Sequence, residues 1–116
     1  MNRLRSFVAV VVLAGASSCG WTVDSAREAG AQKTCDYMVR CSQVGSGKAY
    51  ATRDECLTAQ RTNFQNLWPT STCASTLNPT NLDTCLKAID ASACGSVLDL
   101  LSTLTKCTAG TVCSGP

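Results

Sequence analysis

Nine cysteines are the residues of this chain best able to do chemistry: Cys19, Cys35, Cys41, Cys56, Cys73, Cys85, Cys94, Cys107 and Cys113. Thiols can ligate zinc, cycle with a redox partner, act as nucleophiles or close into disulfides. The last eight are separated by 5, 14, 16, 11, 8, 12 and 5 residues, and no C-x-x-C occurs. Structural zinc favours close pairs, because two ligands from one tight turn fix half of the tetrahedron. Thioredoxin-like centres also use C-x-x-C. With no histidine in the chain, Cys35, Cys41, Cys56, Cys73, Cys85, Cys94, Cys107 and Cys113 are expected to be disulfide-bonded, with no metal and no other cofactor. Dense pairing points to an oxidising compartment.

Spacing alone does not select the connectivity. One pairing follows from the expected helices. Cys41 falls near the end of a first helix and Cys56 in the first turn of a second, and a short turn between them would bring those ends together. Cys107–Cys113 is a second candidate.

Other chemical motifs fail on inspection. Without histidine, the commonest general base and the usual Ser or Cys triads are missing. Gly45-Ser46-Gly47-Lys48 invites a phosphate-loop reading. Ser42 stands where the first Gly is needed, however, and Ala49 stands where Ser or Thr must follow the Lys. A turn is the better reading, with Lys48 and Tyr50 as candidates for an exposed patch. Asp54 and Glu55 are helix neighbours, so they point in different directions and cannot flank a substrate as paired carboxylates must. They suit a helix cap instead, and Asp83, Asp90 and Asp99 suit caps or the surface. Asn78-Pro79-Thr80 is no glycosylation acceptor, since Pro occupies the middle position. No enzymatic activity is expected.

The elements that must hold the cysteines read as four short helices. The first covers about Ser25–Ser42. It opens on the capping-box pattern Ser25-Ala26-Arg27-Glu28, carries Cys35, Met38, Val39 and Ser42 on one face, and is weakened by Gly30. Gly45-Ser46-Gly47 ends that segment. The second opens on Thr52-Arg53-Asp54-Glu55 and carries Cys56, Ala59, Asn63, Phe64, Leu67 and Trp68 at helical spacing. Pro69 stops it. Phe64 and Trp68 are expected in the core. A loop from Pro69 to Pro79 carries Cys73. The third helix starts at Thr80 and places Leu82, Cys85, Leu86 and Ile89 inward. The fourth starts near Ser96, with Val97, Leu98, Leu101 and Leu104 as its apolar stripe and Lys106 near its C-terminus. A tail from Gly110 to Pro116 carries Cys113. The expected fold is all-α, a small disulfide-stapled bundle of about four short helices. A domain this small, with few aromatic side chains, needs such staples.

Residues 1–19 have the parts of an export signal. Arg3 and Arg5 precede the apolar run Phe7–Ala16, followed by small residues and Cys19. The run would span about 15 Å as a helix, half the thickness of a bilayer core. Ala16-Ser17-Ser18-Cys19 resembles the lipobox of bacterial lipoproteins, in which the cysteine thiol is acylated and the chain is cut just before it. Ala16 departs from the usual Leu. Ordinary cleavage after Ala14-Gly15-Ala16 stays open as the alternative. Acylation of Cys19 leaves an even number of thiols. The organisation expected is a signal peptide over 1–18, a lipidated tether over 19–24 and a cysteine-rich helical domain over 25–116. The lipid bilayer is the partner expected at Cys19, in the cell envelope. Gly20, where Asp would retain a lipoprotein in the inner membrane, favours the outer membrane.

Beyond the signal, charge is balanced. Removing Arg3 and Arg5 from ten basic residues leaves eight against eight acidic ones. Nothing steers the chain toward nucleic acid or an anionic membrane surface.

Several features together resemble a family of small cysteine-rich lipoproteins from myxobacteria-like genomes, of unknown function and sometimes labelled natural-product biosynthesis lipoproteins. They are Cys35 and Cys41, Gly45-Ser46-Gly47-Lys48-Ala49-Tyr50, Cys56, Cys85-Leu86, Cys94-Gly95, Leu98-Asp99, Leu104, and Cys107 with Cys113. The resemblance supplies no catalytic residues. Two functions are carried forward. One is a membrane-anchored, non-enzymatic interaction module that presents Gly45–Tyr50 or Pro69–Pro79 to a protein or small molecule. The other, implied by the family label, is an accessory carrier or enzyme of secondary metabolism with a pocket between its helices.

Overall fold

The computed structural model describes residues 20–115. The export segment and Cys19 lie outside them. Among the described residues there are four main helices, α1 Val23–Arg40, α2 Arg53–Leu67, α4 Pro79–Ala91 and α5 Val97–Lys106, and two one-turn helices, α3 Thr70–Cys73 and α6 Ala109–Val112. The all-α bundle is as expected. The short α3 and α6 occupy the stretches expected as loop and tail. None of the described helices is long and apolar enough to cross a membrane.

Caps set the helix starts. α1 opens two residues earlier than expected, because Thr22 and Ser25 form a reciprocal capping box. The stretch between Cys19 and α1 is therefore Gly20–Thr22, shorter than the tether expected. Glu28, freed from capping, pairs with Arg61 of α2. Thr52 caps α2 through Glu55 N, and Glu55 reaches back to Ala51 N, one residue beyond the N-cap. Asn78 caps α4, with Pro79 at the first helical position, where a missing N–H costs nothing. Ser96 caps α5 through Asp99 N.

α1 ends at Arg40, before the Gly-rich turn. Ser42 takes a left-handed φ of 57°, and the turn closes by a bridge between Val44 and Tyr50. Of the expected α1 face, Cys35 is buried and Met38 packs partly against the core, but Val39 is exposed. The face actually buried is Ala26, Gly30, Ala31 and Cys35, small residues that let α2 approach closely. α2 presents Cys56, Leu57, Phe64 and Trp68 to it. Leu82, Cys85, Leu86 and Ile89 of α4 are buried as expected.

Four disulfides staple these elements: Cys35–Cys56, Cys41–Cys94, Cys73–Cys113 and Cys85–Cys107. Both pairings favoured from the sequence are corrected. Cys56 faces mid-α1 and takes Cys35, because the Val44–Tyr50 turn sets α2 back along α1 rather than end to end. Cys41, at the C-cap of α1, reaches Cys94 in the α4–α5 connection. Cys107 pairs inward with α4, while Cys113 closes on α3.

Candidate functional site

α5 is the unusual element. Its polar side turns toward α4, where Ser92 Oγ donates to the Ala88 carbonyl at 2.8 Å and Thr103 Oγ1 lies 2.9 Å from Ser92 Oγ. Asp99 accepts from Ala93 N at 3.0 Å on the same side. Of the apolar stripe expected on this helix, Leu98 is 79% exposed, Leu101 54% and Leu104 56%, while the Val97 side chain lies outside the described ones; Leu100, which the stripe did not include, is 49% exposed. An amphipathic surface helix ordinarily buries its apolar face. Here the bonds to α4 and two disulfides oppose that rotation. Cys94 lies just before α5 and Cys107 caps its end, so the helix is tied at one end to α1 and at the other to α4.

This inversion opens a cleft of about 240 Å3 between α2 and α5. Phe64 and Leu67 of α2 form one wall, and Leu100 and Leu104 of α5 form the other. Ile89 and Cys107 lie at its base, and Thr34 and Tyr37 of α1 close one end. No charged side chain among the described residues lines it. Most of its polar groups are already engaged. Ser92 and Thr103 bond as above, Asn63 donates to Gln60 Oε1 at 3.4 Å, and Gln60 donates to the Tyr50 hydroxyl at 3.4 Å. The cleft therefore offers shape and apolar contact, with little unmet hydrogen bonding.

The base of the cleft is tied to its neighbours by hydrogen bonds. Trp68 is fully buried, and its Nε1 donates to the Cys107 carbonyl at 2.8 Å. Arg27 in turn donates to the Trp68 carbonyl at 2.7 and 3.0 Å. These bonds gather the start of α1, the end of α2 and the end of α5 at one end of the bundle.

The ionisable groups lie elsewhere. Glu28 and Arg61 form a bidentate pair at 2.8 and 2.9 Å on the α1–α2 surface. The hydrogen bonds from Arg61, and then from Gln32, lower the Glu28 pKa to about 2. Lys33 is raised by its hydrogen bond to Asp90. Arg53 pairs with Asp36, and Lys87 with Asp83. Asp54 and Glu55 are exposed at the start of α2. Among the described residues, no group of three metal-ligating side chains converges.

The two loops expected to present a binding surface lie apart from the cleft lining. Lys48 is exposed, but Tyr50 is half-buried with its hydroxyl on Gln60. Within Pro69–Pro79, Thr70–Cys73 form α3 and Cys73 is stapled to Cys113, while Thr70, Ser71, Thr72, Ala74 and Ser75 remain exposed. Sequence reasoning assigned none of the lining residues to a site: Phe64, Leu67, Ile89 and Leu104 were read as apolar helix faces, and Leu100 was not singled out. The available signal was that α5 carries more leucines than one buried stripe needs.

Fold and cleft define a class: a disulfide-stapled helical domain with an uncharged apolar groove. No curated protein and no solved structure matches it. The chain belongs to the DUF6184 family, a family of unknown function, whose model matches residues 35–115. That span takes in all four disulfides and every lining residue of the cleft except Thr34.

Proposed function

We propose that this chain is an exported, lipid-anchored and non-enzymatic binding protein that holds an apolar small molecule in the α2–α5 cleft. The observation that carries the reading is the outward turn of α5, which leaves Leu100 and Leu104 facing Phe64 and Leu67 across an uncharged groove. Leucines left in water are unfavourable by roughly 25 cal/mol per Å2 of apolar surface. A guest that covers them recovers that free energy. The four disulfides support export to an oxidising compartment. The Ala16–Cys19 motif supports an acyl anchor in the cell envelope, at the outer membrane. Covalent pinning of α5 at both ends fits a pre-shaped groove, which lowers the ordering cost of binding.

The alternative reading is an accessory protein of secondary metabolism. Its carrier form would use this same cleft, whereas its enzyme form would need ionisable groups that the cleft lacks. Titration with a solvatochromic apolar dye tests the proposal. The expected result is saturable, one-to-one enhancement that Leu104→Glu abolishes, with the disulfides of the variant intact. Unchanged dye binding in Leu104→Glu would remove the cleft from the account. A specific turnover activity of the purified protein would end the non-enzymatic reading.

A further inference from the structure

The cleft uses only one edge of the leucine face of α5. Leu98 and Leu101 do not line it and are exposed. With Leu104 they form a row at i, i+3, i+6, a strip about 9 Å long. The polar side of the helix is committed to α4, so this strip cannot rotate inward without breaking the Ser92–Thr103 and Asp99–Ala93 bonds.

The short reach from Cys19 to α1 says what covers it. Only Gly20, Trp21 and Thr22 separate Cys19 from α1. Three residues reach at most about 10 Å. If Cys19 carries acyl chains, as the proposed function holds, the domain has no room to stand off the bilayer and one of its faces must lie on it. The start of α1 sits beside the end of α5: Arg27 bonds the Trp68 carbonyl, and Trp68 bonds the Cys107 carbonyl. The leucine strip therefore begins at the anchored end of the bundle. Trp21, in the tether itself, is exposed, as suits a ring at the headgroup level. Lys106, at the same end of α5, is also exposed and compatible with lipid phosphates.

We infer that the Leu98–Leu101–Leu104 face of α5 is a membrane seat, resting in the headgroup boundary of the bilayer that holds the anchor. This rests on the anchor reading. It places the mouth of the cleft, at Leu100 and Leu104, against lipid, so the guest would be a molecule that partitions into membranes.

The test uses Leu101→Trp in the protein purified from its own membrane and reconstituted into phosphatidylcholine vesicles with shallow-brominated lipid. Intact mass, taken first, reports the acyl chains and the four disulfides. The expected result, once the wild-type emission of Trp21 and Trp68 is subtracted, is a blue-shifted added emission from residue 101 that is lost to the bromines. Lipid mass with water-like, unquenched emission from residue 101 overturns the seat and leaves the anchor standing. Without lipid mass the anchor reading falls. Quenching of the unanchored chain by added vesicles would still support the seat, and its absence would overturn it. Self-association that shields residue 101 from bromine would assign the face to a second copy instead, and would also overturn the seat.

Discussion

The ring of Phe64 lies across Gly30, so close that a methyl group on Gly30 would come within 2.7 Å of Phe64 Cε1. Glycine normally weakens a helix. In α1 it makes the room that lets α2 approach and seat the aromatic side chain that also walls the cleft. Gly30→Ala is expected to destabilise the protein by about 1–3 kcal/mol despite its better helix propensity, because the core is overpacked. Denaturant unfolding checks this. Phe64→Leu, made in the Gly30→Ala background, is expected to cost less than it does alone. Additive effects would mean the two positions are not coupled.

Trp68 joins three elements through one buried indole, donating to the Cys107 carbonyl while its own carbonyl accepts from Arg27. Trp68→Phe leaves the Cys107 carbonyl without that donor and is expected to cost about 1–3 kcal/mol, before any loss of packing. Thermal melts under non-reducing conditions measure it.

Acid should weaken the α1–α2 surface in one direction only. Glu28 titrates lower when folded, at about 2 against an ordinary 4.5. Its contribution is fully present above about pH 4.5 and is lost as the pH falls toward 2. The Glu28 side chain is 43% exposed, so solvent screening holds the effect to about 1 kcal/mol or less. Glu28→Gln is expected to lower stability at neutral pH and to flatten this part of the acid dependence. A wild-type stability curve that rises on acidification through this window would contradict the pairing.

Cys41–Cys94 spans 53 residues and holds the approach to α5 against the end of α1. Replacing both cysteines with serine is expected to cost about 2–4 kcal/mol. The loss should be local. Amide exchange should accelerate over α5 while α1 and α2, still joined by Cys35–Cys56, keep their protection. Non-reducing peptide mapping should recover Cys41 linked to Cys94, and a Cys41–Cys56 peptide would refute the topology.

The helices were legible in the sequence because caps and periodicity are local signals. Thr52, Ser96, and Pro69 after Trp68 mark their boundaries by chemistry that acts within one turn. α1 was displaced by two residues because Thr22/Ser25 and Ser25/Glu28 both resemble a capping box, and only the partner of Glu28 on α2, Arg61, decides between them. The disulfide map was not legible, since each pair depends on how far α2 slides along α1 and on where the chain returns after α4. The cleft was hidden by the same cause. The period of Leu98, Leu101 and Leu104 announces an apolar face, but not which way the helix is turned. That orientation comes from Thr103, Asp99 and two long-range bridges.

The central claim is that the α2–α5 cleft holds an apolar guest. Native mass spectrometry of the protein taken gently from its own membrane, with and without Leu104→Glu, tests it most directly. The account predicts a discrete added mass on the wild-type chain, removable by organic extraction and missing from the variant. A wild-type chain that carries no guest, and gains none when its own lipid extract is returned, would contradict it.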